Sequence, residues 1–211
     1  MARSASPSLE LWLVRHGETE WSKAMRHTGR SDIPLTEAGC GRARALAPLL
    51  GSHDFDQVLC SPLTRARQTA RLAGFGGRIR LDDDLAEWDY GAFEGRTTAE
   101  LDRELGGFSI WTTPVVGGET LDQVAARADR VLERLASGGE RHLLFSHGHL
   151  LRILAARWLG LPPDAGRLLA LDAGGISLLG LEHRMRVVRA WNLSPLIPGT
   201  SGPSAEGRRA G

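Results

Sequence analysis

Apolar positions along this chain follow two rhythms. Short buried runs occur at 11–14, 57–60, 78–81 and 142–145, each too brief for a helix and built mainly from Leu, Val, Ile and Phe. They read as core strands. A later pair of runs, 176–181 and 185–191, flanks Glu182, His183 and Arg184 and reads as a hairpin. Between the strand runs the spacing changes to three and four residues. Leu121, Val124, Ala125, Ala128, Val131, Leu132 and Leu135 form one apolar stripe behind Thr120 and Gln123, which have capping-box spacing. Leu150, Leu151, Leu154, Trp158 and Leu159 mark a second helix that Gly160 ends. Ser61 and Pro62 supply the cap and first position of a third, over 62–73, with Gly74 as its stop. Strands alternating with helices predict an α/β fold: a mostly parallel sheet with helices on both faces and an antiparallel element at the C-terminal end.

The 211 residues suit one domain, read over 9–193. The stretches 1–8 and 194–211 are rich in Ser, Pro, Gly and Ala and are expected to be loose tails. At 42% hydrophobic and 24% charged residues the chain has an ordinary globular composition, and no apolar run approaches the length of a membrane span. The first eight residues lack the apolar region of a secretory signal, so the default location is the cytoplasm. A net charge of +1 gives no overall field for recruiting nucleic acid or an anionic membrane. Cys40 and Cys60 fit neither a disulfide framework nor a paired metal spacing, which leaves structural burial as their expected role.

Chemistry gathers where the strands stop. Arg15 and His16 follow the first run, Ser61 through Arg65 the second, and Ser146 and His147 the fourth. In an open α/β sheet, ligands bind at the carboxyl ends of the strands, so these distant segments converge on one crevice. A helix starting near Ser61 would aim free N–H groups at it, and arginines beside a helix start make an anion site. Two histidines at separate strand ends, both near arginines, do not read as core filler, because unpaired buried positive charge is costly.

Five ordered blocks resemble the histidine phosphatase superfamily, the phosphoglycerate mutase-like group: Arg15-His16-Gly17-Glu18-Thr19, Thr28 through Gly39, Ser61-Pro62-Leu63-Thr64-Arg65-Ala66, Glu87-Trp88-Asp89-Tyr90-Gly91 and Ser146-His147-Gly148. The resemblance implies a three-layer αβα sandwich of phosphoglycerate mutase-like type and phosphoryl transfer through phosphohistidine, with no metal or other cofactor. Carried onto this chain, it makes His16 the nucleophile, places Arg15, Arg65 and His147 around the transferring group, and makes Glu87 the proton donor. Ser22, Thr28, Gly29 and Gly148 resemble phosphate-holding positions, and Glu119 resembles a pocket-edge element. Trp21, Trp88, Tyr90, Phe93 and Trp111 are candidates for the entrance wall.

The family contains hydrolases and mutases, so resemblance leaves the reaction open. From Gly95 to Gly118, the expected lid insertion, the only bases are Arg96 and Arg103. The adjacent basic pair that family mutases carry there is missing, which favours hydrolysis of small phosphorylated metabolites, with inorganic phosphate as product and ligand. Ser146-His147-Gly148-His149-Leu150-Leu151-Arg152 resembles the acid phosphatases and sugar-phosphate phosphatases of the group. The alternatives are a phosphoglycerate mutase-type phosphotransferase, a metal-dependent hydrolase using His16, His147 and His149, and a non-catalytic phosphoprotein-binding module. An exposed edge strand could support a homodimer.

Overall fold

The computed structural model describes residues 9–194; the expected tails lie, apart from Ser194, outside the described residues. In chain order the elements are β1 (Glu10–Arg15), α1 (Glu20–Lys23), α2 (Glu37–Ala45), α3 (Ala47–Leu50), β2 (Gln57–Cys60), α4 (Thr64–Leu72), β3 (Ile79–Leu81), α5 (Thr98–Leu105), α6 (Leu121–Ala136), β4 (Arg141–Ser146), α7 (Gly148–Trp158), β5 (Ile176–Glu182) and β6 (Met185–Leu193). The six strands form one sheet in the order β3-β2-β4-β1-β5-β6. β1, β2, β3 and β4 pair in parallel, while β5 runs antiparallel to β1 and to β6.

Alternation along the strands divides the core between the two faces of the sheet. Leu11 and Leu13 of β1, Leu59 of β2 and Leu144 of β4 pack in one cluster with the apolar stripes of α6 and α7. Val14, Val58, Cys60, Leu143 and Phe145 point the other way, against Leu46, Leu50, Ala66 and Ala70 from the α2–α4 side. The result is the three-layer α/β sandwich that the patterning predicted.

Local signals set most boundaries. The expected stripe becomes α6, and Thr120 and Gln123 do form a capping box, with Thr120 Oγ1 accepting from Gln123 N at 3.2 Å and Gln123 Oε1 from Thr120 N at 2.8 Å. The late hairpin turns on His183 and Arg184, at φ of 46° and 68°, the doubly left-handed geometry of a tight two-residue turn.

Several boundaries differ from expectation by one or two residues, and one difference has a chemical cause. The third strand begins at Ile79 rather than residue 78. The helix expected over 62–73 is α4, and Ser61 is not its cap. Asp32, from the loop between α1 and α2, caps it instead, accepting from Thr64 N at 2.7 Å and from Thr64 Oγ1 at 2.6 Å. A carboxylate matches exposed N–H groups better than a hydroxyl, and Ser61 is buried elsewhere.

Cys60 is buried, which pushes its thiol up to about 12, while Cys40 is half-buried. Among the described residues no helix is long and apolar enough to cross a membrane. Leu144 sits fully buried on the central strand. Leu144→Ala is expected to lower unfolding free energy by about 2–5 kcal/mol in urea titrations, the cost of a cavity that the sheet cannot collapse to fill.

Candidate active site

Parallel pairing of β1 with β4 sets Arg15 opposite Ser146, so the next residues, His16 and His147, leave the sheet side by side. Their ring centroids are 5.1 Å apart. His16 is 4% exposed and His147 fully buried.

The backbone around His16 fixes its ring. His16 Nδ1 lies 2.7 Å from the Gly17 carbonyl, so Nδ1 carries the proton that Gly17 accepts and Nε2 keeps its lone pair. Gly17 N donates to Thr69 Oγ1 at 3.0 Å. No side chain fits at residue 17, because a Cβ there would lie 2.7 Å from the Gly39 carbonyl oxygen. At residue 39 a Cβ would in turn lie 2.2 Å from the Glu18 carbonyl oxygen, so the close passage of the two segments requires glycine at both positions.

Arg65 is fully buried beside His147. Its guanidinium donates to the carbonyls of Thr28 at 3.0 Å, Gly29 at 2.8 Å and Ser31 at 2.9 Å, which ties the 28–31 loop to α4. Its Nε donates to His147 Nδ1 at 3.2 Å. His147 Nε2 then carries the ring proton and donates to Ser61 Oγ at 2.7 Å. Arg15 is different: one Nη donates to the Leu171 carbonyl, but its buried Nε has no partner. An unpaired buried donor next to a second guanidinium and two imidazoles calls for an anion.

Glu87 closes the opposite side, at 7% exposure. Oε1 accepts from Trp88 N and Leu150 N, each at 3.0 Å, and Oε2 from His149 N at 3.1 Å. The carboxylate therefore caps α7, and one lone pair of Oε2 is left for the cavity. Burial, then Arg15 and Arg65, hold the His16 imidazole well below its ordinary pKa, against the Gly17 hydrogen bond. Burial, then Arg65, His16 and Arg15, do the same to His147. Both rings are neutral near pH 7.

A cavity of about 310 Å³ opens beside these groups, lined by Arg15, His16, Ser22, Thr28, Glu87, Tyr90 and Gly148 among the residues singled out from sequence, while the fully buried Arg65 and His147 lie behind its lining. Ser22 completes a capping box with Thr19, and the Tyr90 hydroxyl is 2.6 Å from His149 Nδ1. Gly29 and Glu119 are not brought to this cavity. The Gly29 N–H is spent on Glu94 at 2.9 Å, and Glu119 pairs with Arg127. Trp88 and Phe93 are core residues, Trp21 packs against Gly95, and of the five candidate aromatics Tyr90 alone lines the cavity. From the expected lid insertion only Thr98 reaches it; Arg96 pairs with Glu104, and Arg103 lines a separate hollow.

Sequence reasoning missed Arg127. Every N–H of its guanidinium is used: Nε to Glu119 Oε1 at 2.7 Å, one Nη to the carbonyls of Asp84 and Ala86 at 2.8 Å each, and the other to Glu119 Oε2 at 2.7 Å and the Glu87 carbonyl at 3.3 Å. Glu119 Oε2 also accepts from Asp89 N at 3.0 Å. The pair thus brackets Glu87 from both sides. A charged residue bordering the apolar stripe of α6 was the only signal available.

The family model described as "Histidine phosphatase superfamily (branch 1)" matches residues 11–194. An acid phosphatase from Mycobacterium tuberculosis is 39% identical over 191 residues, covering 87% of this chain and 92% of that protein. A protein named "Probable phosphoglycerate mutase GpmB" from Photorhabdus laumondii is 35% identical, covering 87% of this chain and 90% of that one. The solved structure of open reading frame Rv3214 from Mycobacterium tuberculosis superposes with a TM-score of 0.83 at 37% identity, over 89% of this chain and 99% of that chain.

Two stability measurements check the site's construction. Arg127→Met is expected to cost about 1–3 kcal/mol by urea unfolding, since it leaves the half-buried Glu119 without its counter-charge and the Asp84 and Ala86 carbonyls without this donor, and adding Glu119→Gln should recover part of that loss. Stability should also fall as pH drops below about 6.5. There the unfolded imidazoles take up protons that the native His16 and His147, with lowered pKa values, do not bind. Each contributes a slope of about 1.4 kcal/mol per pH unit, which melting curves from pH 7.5 to 5 would register.

Proposed function

Since the chain belongs to the histidine phosphatase superfamily, branch 1, we propose that it is a metal-independent phosphomonoester phosphatase of the acid phosphatase type, working through phosphohistidine on small phosphorylated metabolites in the cytoplasm. The observation that carries this reading is the pairing of His16 and His147, 5.1 Å apart, beside an unpartnered buried Arg15 Nε.

In the first half-reaction His16 Nε2 attacks phosphorus, forming the N–P bond as the ester P–O bond breaks. Gly17, accepting from Nδ1, stabilises the cationic ring that results. Arg15 supplies Nε to an equatorial oxygen, and Arg65 supplies the one N–H its loop carbonyls leave free. Preorganised donors in a water-poor site stabilise developing charge because they need no reorganisation. An incoming phosphoryl oxygen competes with Ser61 for the His147 Nε2 proton. Glu87 Oε2 delivers its proton to the leaving oxygen. In the second half the same carboxylate takes a proton from water as that water attacks phosphorus; the N–P bond breaks, and phosphate departs with the His16 lone pair restored.

Relatives carry both phosphatase and mutase names, so the reaction rests on the lid. Thr98 is its sole contribution to the cavity, and neither Arg96 nor Arg103 lines it. Nothing basic from the lid holds a released product in place for return of the phosphoryl group, which favours water as acceptor. The metal-dependent alternative is opposed by the two guanidinium groups that would repel a cation at His16 and His147. The binding-module alternative leaves the free Nε2 and the single open lone pair on Glu87 without use.

His16→Ala is expected to lower p-nitrophenyl phosphate turnover at least about a thousandfold and to abolish acid-labile labelling of the protein by a radioactive phosphate donor. Turnover at the parent rate would overturn the nucleophile assignment. Isomerised product in place of free phosphate, with a bisphosphoglycerate primer present, would turn the reading toward a mutase.

A further inference from the structure

Beyond the reactive floor, the cavity wall holds more positive charge than one phosphoryl group uses. Glu87 is the only acid among the described lining residues, whereas Arg15, Arg26 and Arg152 are all present. Arg15, with the buried Arg65, is accounted for by the transferring group. Arg26 is exposed and lies 3.9 Å from Glu100, a loose partner outside the cavity. Arg152 has no such explanation. It rises from α7 one turn after Gly148, half-buried, and forms no ion pair among the described residues.

The surroundings of Arg152 fix its plane without neutralising it. Nε donates to the Gly166 carbonyl at 3.0 Å, one Nη to the Arg167 carbonyl at 3.2 Å, and the guanidinium lies 4.7 Å over the Trp111 ring. The remaining donors stay unspent. His149, from the same helix, packs at 5.2 Å on Trp111 and meets the Tyr90 hydroxyl through Nδ1. With that hydroxyl donating, His149 Nε2 carries the ring proton and has no partner among the described residues. His27 stands 6.3 Å away, completing the wall. A guanidinium held rigid, desolvated on one side and without an ion pair, with Glu87 the one acid on the same lining, has the form of a binding group rather than a solvated surface arginine.

We propose that Arg152, assisted by His149 and Arg26, forms a second anion subsite, so that the preferred substrates are phosphomonoesters carrying a further negative group, a carboxylate or another phosphate. The proposal rests on the phosphatase reading above and names the substrate class for that same cavity. The competing role for Arg152 is structural, as a strut between α7 and the turn at Pro163–Leu168.

Arg152→Gln, which keeps a side-chain donor for the Gly166 carbonyl, separates the two. Phosphate release is measured for the parent and the variant on glycerol 1-phosphate, 3-phosphoglycerate and fructose 1,6-bisphosphate, with p-nitrophenyl phosphate as reference and melting curves as a fold check. The parent is expected to favour one or both doubly anionic esters. The variant should lower the ratio of their kcat/KM to that of glycerol 1-phosphate by at least about tenfold, mainly through KM. Loss confined to 3-phosphoglycerate identifies a carboxylate as the second group, and loss confined to the bisphosphate identifies a phosphate. An equal loss on all esters, or a parent with no preference for the doubly charged ones, overturns the subsite while leaving the phosphatase reading standing. No phosphate release by the parent from any ester, p-nitrophenyl phosphate included, would overturn both.

Discussion

The site depends on one register. With Arg15 paired to Ser146, the two residues that follow emerge at the same height from adjacent parallel strands. Side chains alternate strictly between the faces of a sheet, so a slip of one residue would send one imidazole to the α2–α4 side and leave the other alone. The register is held by what lies beneath it: Leu13 against Leu144 on one face, Val14 against Phe145 on the other, all fully buried. Packing of ordinary aliphatic residues thus does the positioning that the polar groups at the strand ends exploit.

Charge is handled differently on the two sides of the pocket. Arg65 is fully buried, yet carbonyls of the 28–31 loop receive most of its donors, so the loop and the guanidinium stabilise each other. Arg15 is left partly unsatisfied at Nε, and this incompleteness is what makes it receptive. On the acid side, Glu87 is held by backbone N–H groups of α7 while the Arg127–Glu119 pair grips the carbonyls around it. The strained economy of the binding face is offset by full satisfaction just behind it.

Much of this was legible in the residues. Short buried runs gave the central strands, and the three- to four-residue stripe with Thr120 gave α6, because each follows from local burial and capping. The convergence of His16 and His147 could be read from strand ends alone. What could not be read were partnerships set by tertiary contact. Ser61 looked like a helix cap because it precedes proline, but the His147 ring competes for its hydroxyl and Asp32 takes over the helix. Glu119 looked like a pocket edge; its partner Arg127 is eight residues away on a helix whose orientation no local pattern reveals. Arg152 and His27 were not read as wall residues: Arg152 entered only as the end of the 146–152 block, His27 belonged to no motif, and both acquire their place only when α7 and the 26–29 loop meet.

Cys60 ends β2 one residue before Ser61, packed on the α2–α4 side of the sheet, and burial pushes its thiol up to about 12. At neutral pH the group therefore stays a thiol rather than the thiolate that peroxides and alkylating agents attack. With that sulfur held as a buried thiol and an imidazole as the proposed nucleophile, the proposed reaction draws on no thiolate, which sets it apart from chemistry that follows thiol redox poise.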